Sequence, residues 1–251
     1  MTKLIFLGTS NAIPDERHDN THLAIVAENR RVLIDSGNNP LIRLKQAALE
    51  LCDLTDLIIT HFHPDHVGGI PLLLMDSWLL GRTKPLEIHG LDTTIDRISK
   101  LMDFYEWETW PNFYPVKFHR VPEQELAPVL ECSEFHIYAS PVRHIIPAMG
   151  LRIEFSTSGK VAAFSCDTEP CKAVVKLGRS ADILVHEATG ESLGHTSAAQ
   201  AGEIAQKAGA KSLYLIHYPT GDFDSHSLIN DARRNFQGLV YMAEDFMELE
   251  L

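Results

Sequence analysis

The chain has 251 residues, is 45% hydrophobic and 22% charged, and carries a formal net charge of −12. This is the composition of an ordinary folded enzyme with room for a sizeable core, and the lack of any run of 18 apolar residues excludes a membrane-spanning helix. The acidic balance argues against broad nucleic-acid binding, which draws most of its affinity from a basic surplus; the densest basic spots, Arg30-Arg31 and Arg233-Arg234, are flanked by acids.

Taken in chain order, residues 1–10 read as a core strand rather than a signal peptide. Further β-branched or apolar runs bounded by turn residues predict strands at 22–26, 31–34, 57–60, 86–89, 116–121, 135–138, 150–155, 160–165, 183–186, 212–216 and 239–242, the first strand covering 3–7. Helical periodicity is expected over 40–51 and over 68–81, where Pro71 is tolerable in a first turn. A third helix follows the capping-box spacing Ser197-Ala198-Ala199-Gln200, and a fourth runs from Ser225 or Ser227 to Asn235. No repeat, linker or low-complexity tract interrupts the chain, so it reads as one domain over 1–251. Strands with helices interspersed in both halves imply packed sheets covered by helices, an α/β class of several layers. Cys52, Cys132, Cys166 and Cys171 have no framework spacing, which suits a reducing cytoplasm.

The chemistry begins where the strand at 57–60 ends. His61, His63, Asp65 and His66 follow within six residues, with Pro64 turning the chain between them. Neutral imidazole and carboxylate are the donors that suit zinc, iron or manganese. Such a run cannot complete two metal sites alone, and further polar residues end later strands: His144 after 139–143, Asp167 after 164–166 and His217 after 214–216. Asp35 ends the strand at 31–34, where a carboxylate could accept the spare N–H of a ligand imidazole or cap the turn at Ser36-Gly37.

The set Asp35, His61-Phe62-His63-Pro64-Asp65-His66, His144, Asp167 and His217 resembles the five-motif signature of the metallo-β-lactamase superfamily. The Leu-Gly-Thr-Ser at 7–10, the His186-Glu187-Ala188-Thr189 run, His195-Thr196-Ser197 and the ending from 243 to 251 are similar to its ribonuclease Z branch, in an arm-less short form. The resemblance implies a four-layer αββα sandwich of two half-domains with the metals at one edge. It also implies two divalent ions, zinc first and iron or manganese next, one on His61, His63 and His144, the other on Asp65, His66 and His217, with Asp167 bridging. Asp65, His195 and Glu187 are the expected catalytic residues: His195 as general acid, since it lies outside the ligand set and an imidazole can titrate near neutrality, with capping of the helix that starts near Ser197 as its alternative role, and Glu187 as its orienting carboxylate. His186 is expected to meet phosphate.

The chain departs from the look-alike at places that bear on substrate. Ribonuclease Z proteins usually insert an arm that grips tRNA between the third-motif histidine and the bridging aspartate, whereas here two predicted strands and the hairpin turn at 156–159 fill the interval between His144 and Asp167. The family's Asp-Cys-Gly-Glu-Gly appears as Asp35-Ser36-Gly37-Asn38-Asn39. The expected activity is therefore hydrolysis of small or flexible phosphodiesters or nucleotides, with tRNA 3′ processing as one alternative and thioester, lactone or aryl-sulfate hydrolysis on the same scaffold as another. RNA is disfavoured by the charge and the missing arm, and no membrane partner is expected. Seven aromatics crowd 104–118, lining a pocket, packing a loop onto the core or forming an oligomer surface, and the apolar run at 70–80 is a core helix first and a homodimer face second.

Overall fold

The computed structural model describes residues 2–221 and 224–251. Its strands form two seven-stranded sheets. The first runs in the order β14 (Glu248–Glu250), β1 (Lys3–Gly8), β2 (His22–Val26), β3 (Arg31–Ile34), β4 (Asp56–Ile59), β5 (Leu86–Leu91) and β6 (Val116–Val121). The second runs β13 (Leu239–Met242), β12 (Ser212–Ile216), β11 (Ile183–Glu187), β10 (Val161–Phe164), β9 (Ala148–Phe155), β8 (Phe135–Val142) and β7 (Ala127–Glu131). Pairing is parallel from β3 to β6 and from β10 to β13, and antiparallel elsewhere.

Alternation along each strand sorts side chains into three cores. Phe6, Leu23, Ile25, Ile34 and Ile58 meet Phe135, Ile137, Leu151, Ile153, Val185 and Ile216 between the sheets. The other faces are covered by helices. Leu33, Leu57, Ile59 and Ile88 pack under α1 (Pro40–Gln46), α3 (Ile70–Leu79) and α4 (Asp92–Asp103), and Ala163, Leu184, Leu213 and Leu215 pack under α5 (Lys172–Leu177), α6 (Ala198–Ala208) and α7 (Ser225–Arg233). The layers are α, β, β, α, as the resemblance implied.

The predicted strands all form, several of them longer: β8 continues to Val142 and β9 starts at Ala148. The helix over 40–51 stops at Gln46 and resumes only as a single tight turn at Leu51–Asp53, because Ala48 takes a positive φ of 56°. The capping box at α6 is complete: Ser197 accepts from the Gln200 backbone and Gln200 reaches back to the Ser197 N–H. Helices α4 and α5, edge strands β7 and β14, and the four-residue turn of helix α2 (Pro64–Val67) are additional. The 104–118 aromatics mostly pack: Trp107, Trp110, Phe113 and Phe118 lie against the helix-side core, Trp110 stacks on Trp78 at 5.1 Å, and Phe104 is exposed.

Parallel strands all point the same way, so the loops that follow them gather at one edge. The loops after β3, β4, β10, β11 and β12 carry Asp35, His61 to His66, Asp167, the 188–196 segment and His217 to that edge. The two sheets are tied there by a bridge between His61 and Ala148 and by Met149 N–H donating to Thr60 O at 3.1 Å.

Candidate metal centre

Two groups of donors converge at this edge: His61, His63 and His144 in one, and Asp65, His66, Asp167 and His217 in the other, with the donor atoms within 4.8 Å of each other in each group. In the first, His63 Nδ1 stands 3.1 Å from both His61 Nε2 and His144 Nε2. Three nitrogens bound to one ion at 2.0–2.1 Å in tetrahedral geometry would lie about 3.3 Å apart. In the second group, His66 Nε2 is 3.5 Å from Asp65 Oδ2 and 3.5 Å from Asp167 Oδ2, and His217 Nε2 is 3.4 Å from Asp167 Oδ2. Asp167 Oδ2 also lies 3.8 Å from His61 Nε2, so one carboxylate faces both groups.

Tautomers follow from the far nitrogens. His144 Nδ1–H donates to Gly194 O at 2.8 Å, which frees Nε2 as a lone pair. His66 Nδ1–H donates to Asp35 Oδ2 at 2.8 Å. The Thr189 hydroxyl donates to His217 O at 2.8 Å and accepts from His217 Nδ1–H at 2.8 Å. Thr60 Oγ1 donates to Asp35 Oδ2 at 2.7 Å and can accept from His61 Nδ1–H at 3.1 Å, with Cys166 Sγ 3.4 Å from the same nitrogen. Four histidines thus aim Nε2 inward. His66 Nε2, His217 Nε2 and Asp167 Oδ1 are buried with no hydrogen-bond partner among the described residues, a costly state for polar atoms unless a cation takes the lone pairs. The donor set fits two divalent ions.

The electrostatics point the same way. Burial holds His61 well below the ordinary imidazole range and lowers His63 and His144, so that group is neutral. Burial would raise Asp65 and Asp167, yet the histidines around them hold both carboxyls below the usual range. Burial would likewise lower His66, but Asp167 and Asp35 outweigh it and push it well above. The second group therefore carries negative charge that calls for a cation.

The backbone is also specialised here. Asp35, Cys166 and His217 all take positive φ, at 63°, 56° and 54°, each just past a strand end. A non-glycine residue in that region costs on the order of 1–3 kcal/mol and persists only where its surroundings over-determine it. Asp35 N–H to Ile58 O at 2.9 Å and His217 N–H to Thr9 O at 2.8 Å are such constraints.

Glu187 is fully buried and gathers the neighbouring loops: its Oε1 accepts Thr196 N–H at 2.9 Å and Thr168 N–H at 3.3 Å, its Oε2 accepts Thr189 N–H at 2.9 Å, and His195 Nδ1 lies 3.2 Å from Oε1. That hydrogen bond raises His195 above the ordinary imidazole range, against burial. A nitrogen of His195 falls within 4.8 Å of donor atoms of His144 and Asp167. Ser197, not His195, caps α6.

His186 is the exception among the expected residues. It shares a strand face with Leu184 and Ala188, both in the core under α6, so its ring is fully buried on the helix side and its Nδ1 bonds the Glu187 carbonyl at 2.8 Å. Phosphate cannot reach it; a one-residue step along β11 exchanges the two faces of the sheet. The supporting roles of Thr60, Cys166, Thr189 and Gly194 behind the donors do not follow from the sequence, although Thr60 and Cys166 each directly precede a donor. A cavity of about 810 Å³ is walled by Tyr218, Tyr241, Arg17, His226 and Arg233, and none of the seven donors lines it.

Residues 2–242 match a family described as Anti-Pycsar protein Apyc1. The whole chain aligns at 25% identity with 98% of a protein named ribonuclease Z from Methanosarcina mazei, over 309 positions, so that relative carries stretches this chain lacks. A Pyrococcus abyssi protein of the same name is 28% identical, over 86% of each chain. Among solved structures, the metallo-beta-lactamase fold protein YhfI from Bacillus subtilis superposes with a TM-score of 0.84 at 24% identity, covering 100% of this chain and 99% of its own. The short form of human tRNase Z gives a TM-score of 0.78 at 25% identity, covering 99% of this chain and 98% of its own.

Proposed function

Because the chain belongs to the Anti-Pycsar protein Apyc1 family and is a metal-dependent hydrolase with the metallo-β-lactamase fold, we propose that it is a two-metal phosphodiesterase acting on small or flexible phosphodiesters, such as cyclic nucleotides, short oligonucleotide ends or aryl phosphodiesters. The observation that carries the substrate reading is the tight turn at 156–159, which joins β9 directly to β10 and leaves no arm between His144 and Asp167. The net charge of −12 works in the same direction, since a long polyanion would be attracted only at the metal centre.

His61, His63 and His144 would hold one ion, Asp65, His66 and His217 the other, with Asp167 placed to serve both. Zinc suits imidazole and carboxylate in these arrangements, with iron or manganese next. Two such ions, when bound, supply an activated water and offset charge on the phosphoryl oxygens. Asp65 stays ionised beside the reacting group. His195 carries the proton for the leaving oxygen; Glu187 accepts its Nδ1–H and raises its pKa, which favours the protonated ring and leaves the other nitrogen to donate. The free cysteines suit the cytoplasm. Leu72 and Leu79, two turns apart on α3, together with Leu80 are exposed and offer a face for a homodimer.

A second reading, tRNA 3′ processing, is favoured by the full-length similarity to proteins named ribonuclease Z. Side-by-side kcat/KM on a cyclic nucleotide, an aryl phosphodiester and precursor tRNA at physiological salt separates the two. The small substrates should win by orders of magnitude; efficient cleavage of the tRNA would overturn the preference.

A further inference from the structure

Glu169 lies two residues beyond Asp167 and is tied at three points, two on its carboxylate and one on its backbone N–H. Its Oε1 accepts Gly194 N–H at 3.1 Å, its Oε2 lies 2.8 Å from Arg143 Nε, and its own N–H donates to Arg143 O at 2.7 Å. Gly194 in turn presents its carbonyl to His144 Nδ1–H at 2.8 Å, and the next residue is His195. One residue thus has its N–H on Glu169, its carbonyl on a metal donor and the proposed proton donor as its neighbour.

The position demands glycine. Gly194 has φ +81°, and a Cβ there would lie 2.7 Å from Ile145 Cγ1 and 2.9 Å from His144 Nδ1. The residues just before it, Glu191, Ser192 and Leu193, are exposed, so little packing holds the segment on that side. Exposed segments of this kind open locally at low cost unless pegged by specific bonds.

We infer that Glu169 is a positioning residue that clamps the metal donor His144 and the proton donor His195 into one unit through Gly194. With the clamp in place, His144 keeps Nδ1 protonated and aims Nε2 at the first ion, and His195 keeps its distance from that ion. The inference rests on the two-metal hydrolase reading.

The test compares Glu169→Ala, Glu169→Gln and Arg143→Ala. Glutamine keeps an oxygen for Gly194 N–H, whereas Arg143→Ala removes only the exposed ion pair. Two readouts need no substrate: hydrogen exchange of the Gly194 amide, and zinc retained after dialysis against graded chelator. A third is the ratio of turnover on an alkyl-leaving-group phosphodiester to that on bis(p-nitrophenyl) phosphate. Glu169→Ala should exchange Gly194 faster and lose the first ion at roughly ten- to a hundredfold lower chelator, the usual cost of removing a partner behind a ligand. It should also lower the alkyl-to-aryl ratio about tenfold with little change in KM. Glu169→Gln should restore most of each effect and Arg143→Ala should match the unmutated protein. Unchanged exchange and metal retention in Glu169→Ala would overturn the clamp, as would an Arg143→Ala variant that reproduces the whole effect. A protein that cleaves no phosphodiester but shows the exchange and metal effects would keep the clamp and remove the phosphodiesterase reading.

Discussion

Asp35→Asn is the substitution in which shape is kept and chemistry is not. The Asp35 carboxylate is fully buried and accepts three hydrogen bonds: Thr60 N–H at 2.8 Å on Oδ1, and Thr60 Oγ1–H at 2.7 Å and His66 Nδ1–H at 2.8 Å on Oδ2. An amide offers only one accepting oxygen. If that oxygen faces the Thr60 N–H, the NH₂ group points at two donors. The Thr60 hydroxyl can rotate, but His66 can then pair only by moving its proton to Nε2, the atom that faces Asp65 and Asp167. The alternative flip places NH₂ against a backbone N–H. Either way a donor meets a donor in a site without water access, or the tautomer that can bind a metal is lost. Removing such a partner costs about ten- to a hundredfold in metal affinity, or about 1.4–2.8 kcal/mol at 1.4 kcal/mol per tenfold. Competition with a chromophoric zinc chelator reads this directly, and the loss should fall on one of the two ions, with circular dichroism unchanged. An Asp35→Asn protein that holds both ions with unaltered affinity would refute the reasoning that the carboxylate fixes His66.

Asp167→Ala should lose more metal than any single histidine variant, because Asp167 Oδ2 faces both donor groups; elemental analysis showing two full equivalents would sink its bridging role. His195→Ala should retain metal yet lower turnover of poor leaving groups by roughly 10²–10⁴, with a smaller loss on p-nitrophenolate esters. Glu187 raises the His195 pKa, so the protonated, active form persists above the usual imidazole range and activity falls as pH rises through the raised value. Glu187→Gln removes that cause and should move the alkaline limb of the rate profile to lower pH; an unmoved limb would mean that another group controls it.

Much of the centre was legible in the chain because its donors are local or end strands. His61 to His66 form one continuous run, and Asp35, His144, Asp167 and His217 each follow an apolar segment. Alternating and β-branched patterns likewise marked twelve strands, and the Ser197–Gln200 spacing marked the start of α6. Such features need only neighbours in sequence, and the chain carries them openly. Helix α4 was missed despite its amphipathic spacing of Thr94, Ile95, Ile98 and Met102, because its polar start at Asp92 resembles the end of a loop.

Tertiary structure alone decided what stands behind the donors. Thr60 and Asp35 are 25 residues apart, Thr189 and His217 are 28 apart, and Gly194 and His144 are 50 apart; each pair meets because the folded sheets bring these loops to one edge. No local pattern encodes which hydroxyl or carbonyl will face a ring nitrogen, so the tautomers could not be read from sequence. The fate of His186 shows the same limit. Its motif placed it beside Glu187, but the period of two along β11 sends Glu187 to the centre and His186 into the core under α6. The chain specified the donors; packing decided which atom of each one points inward.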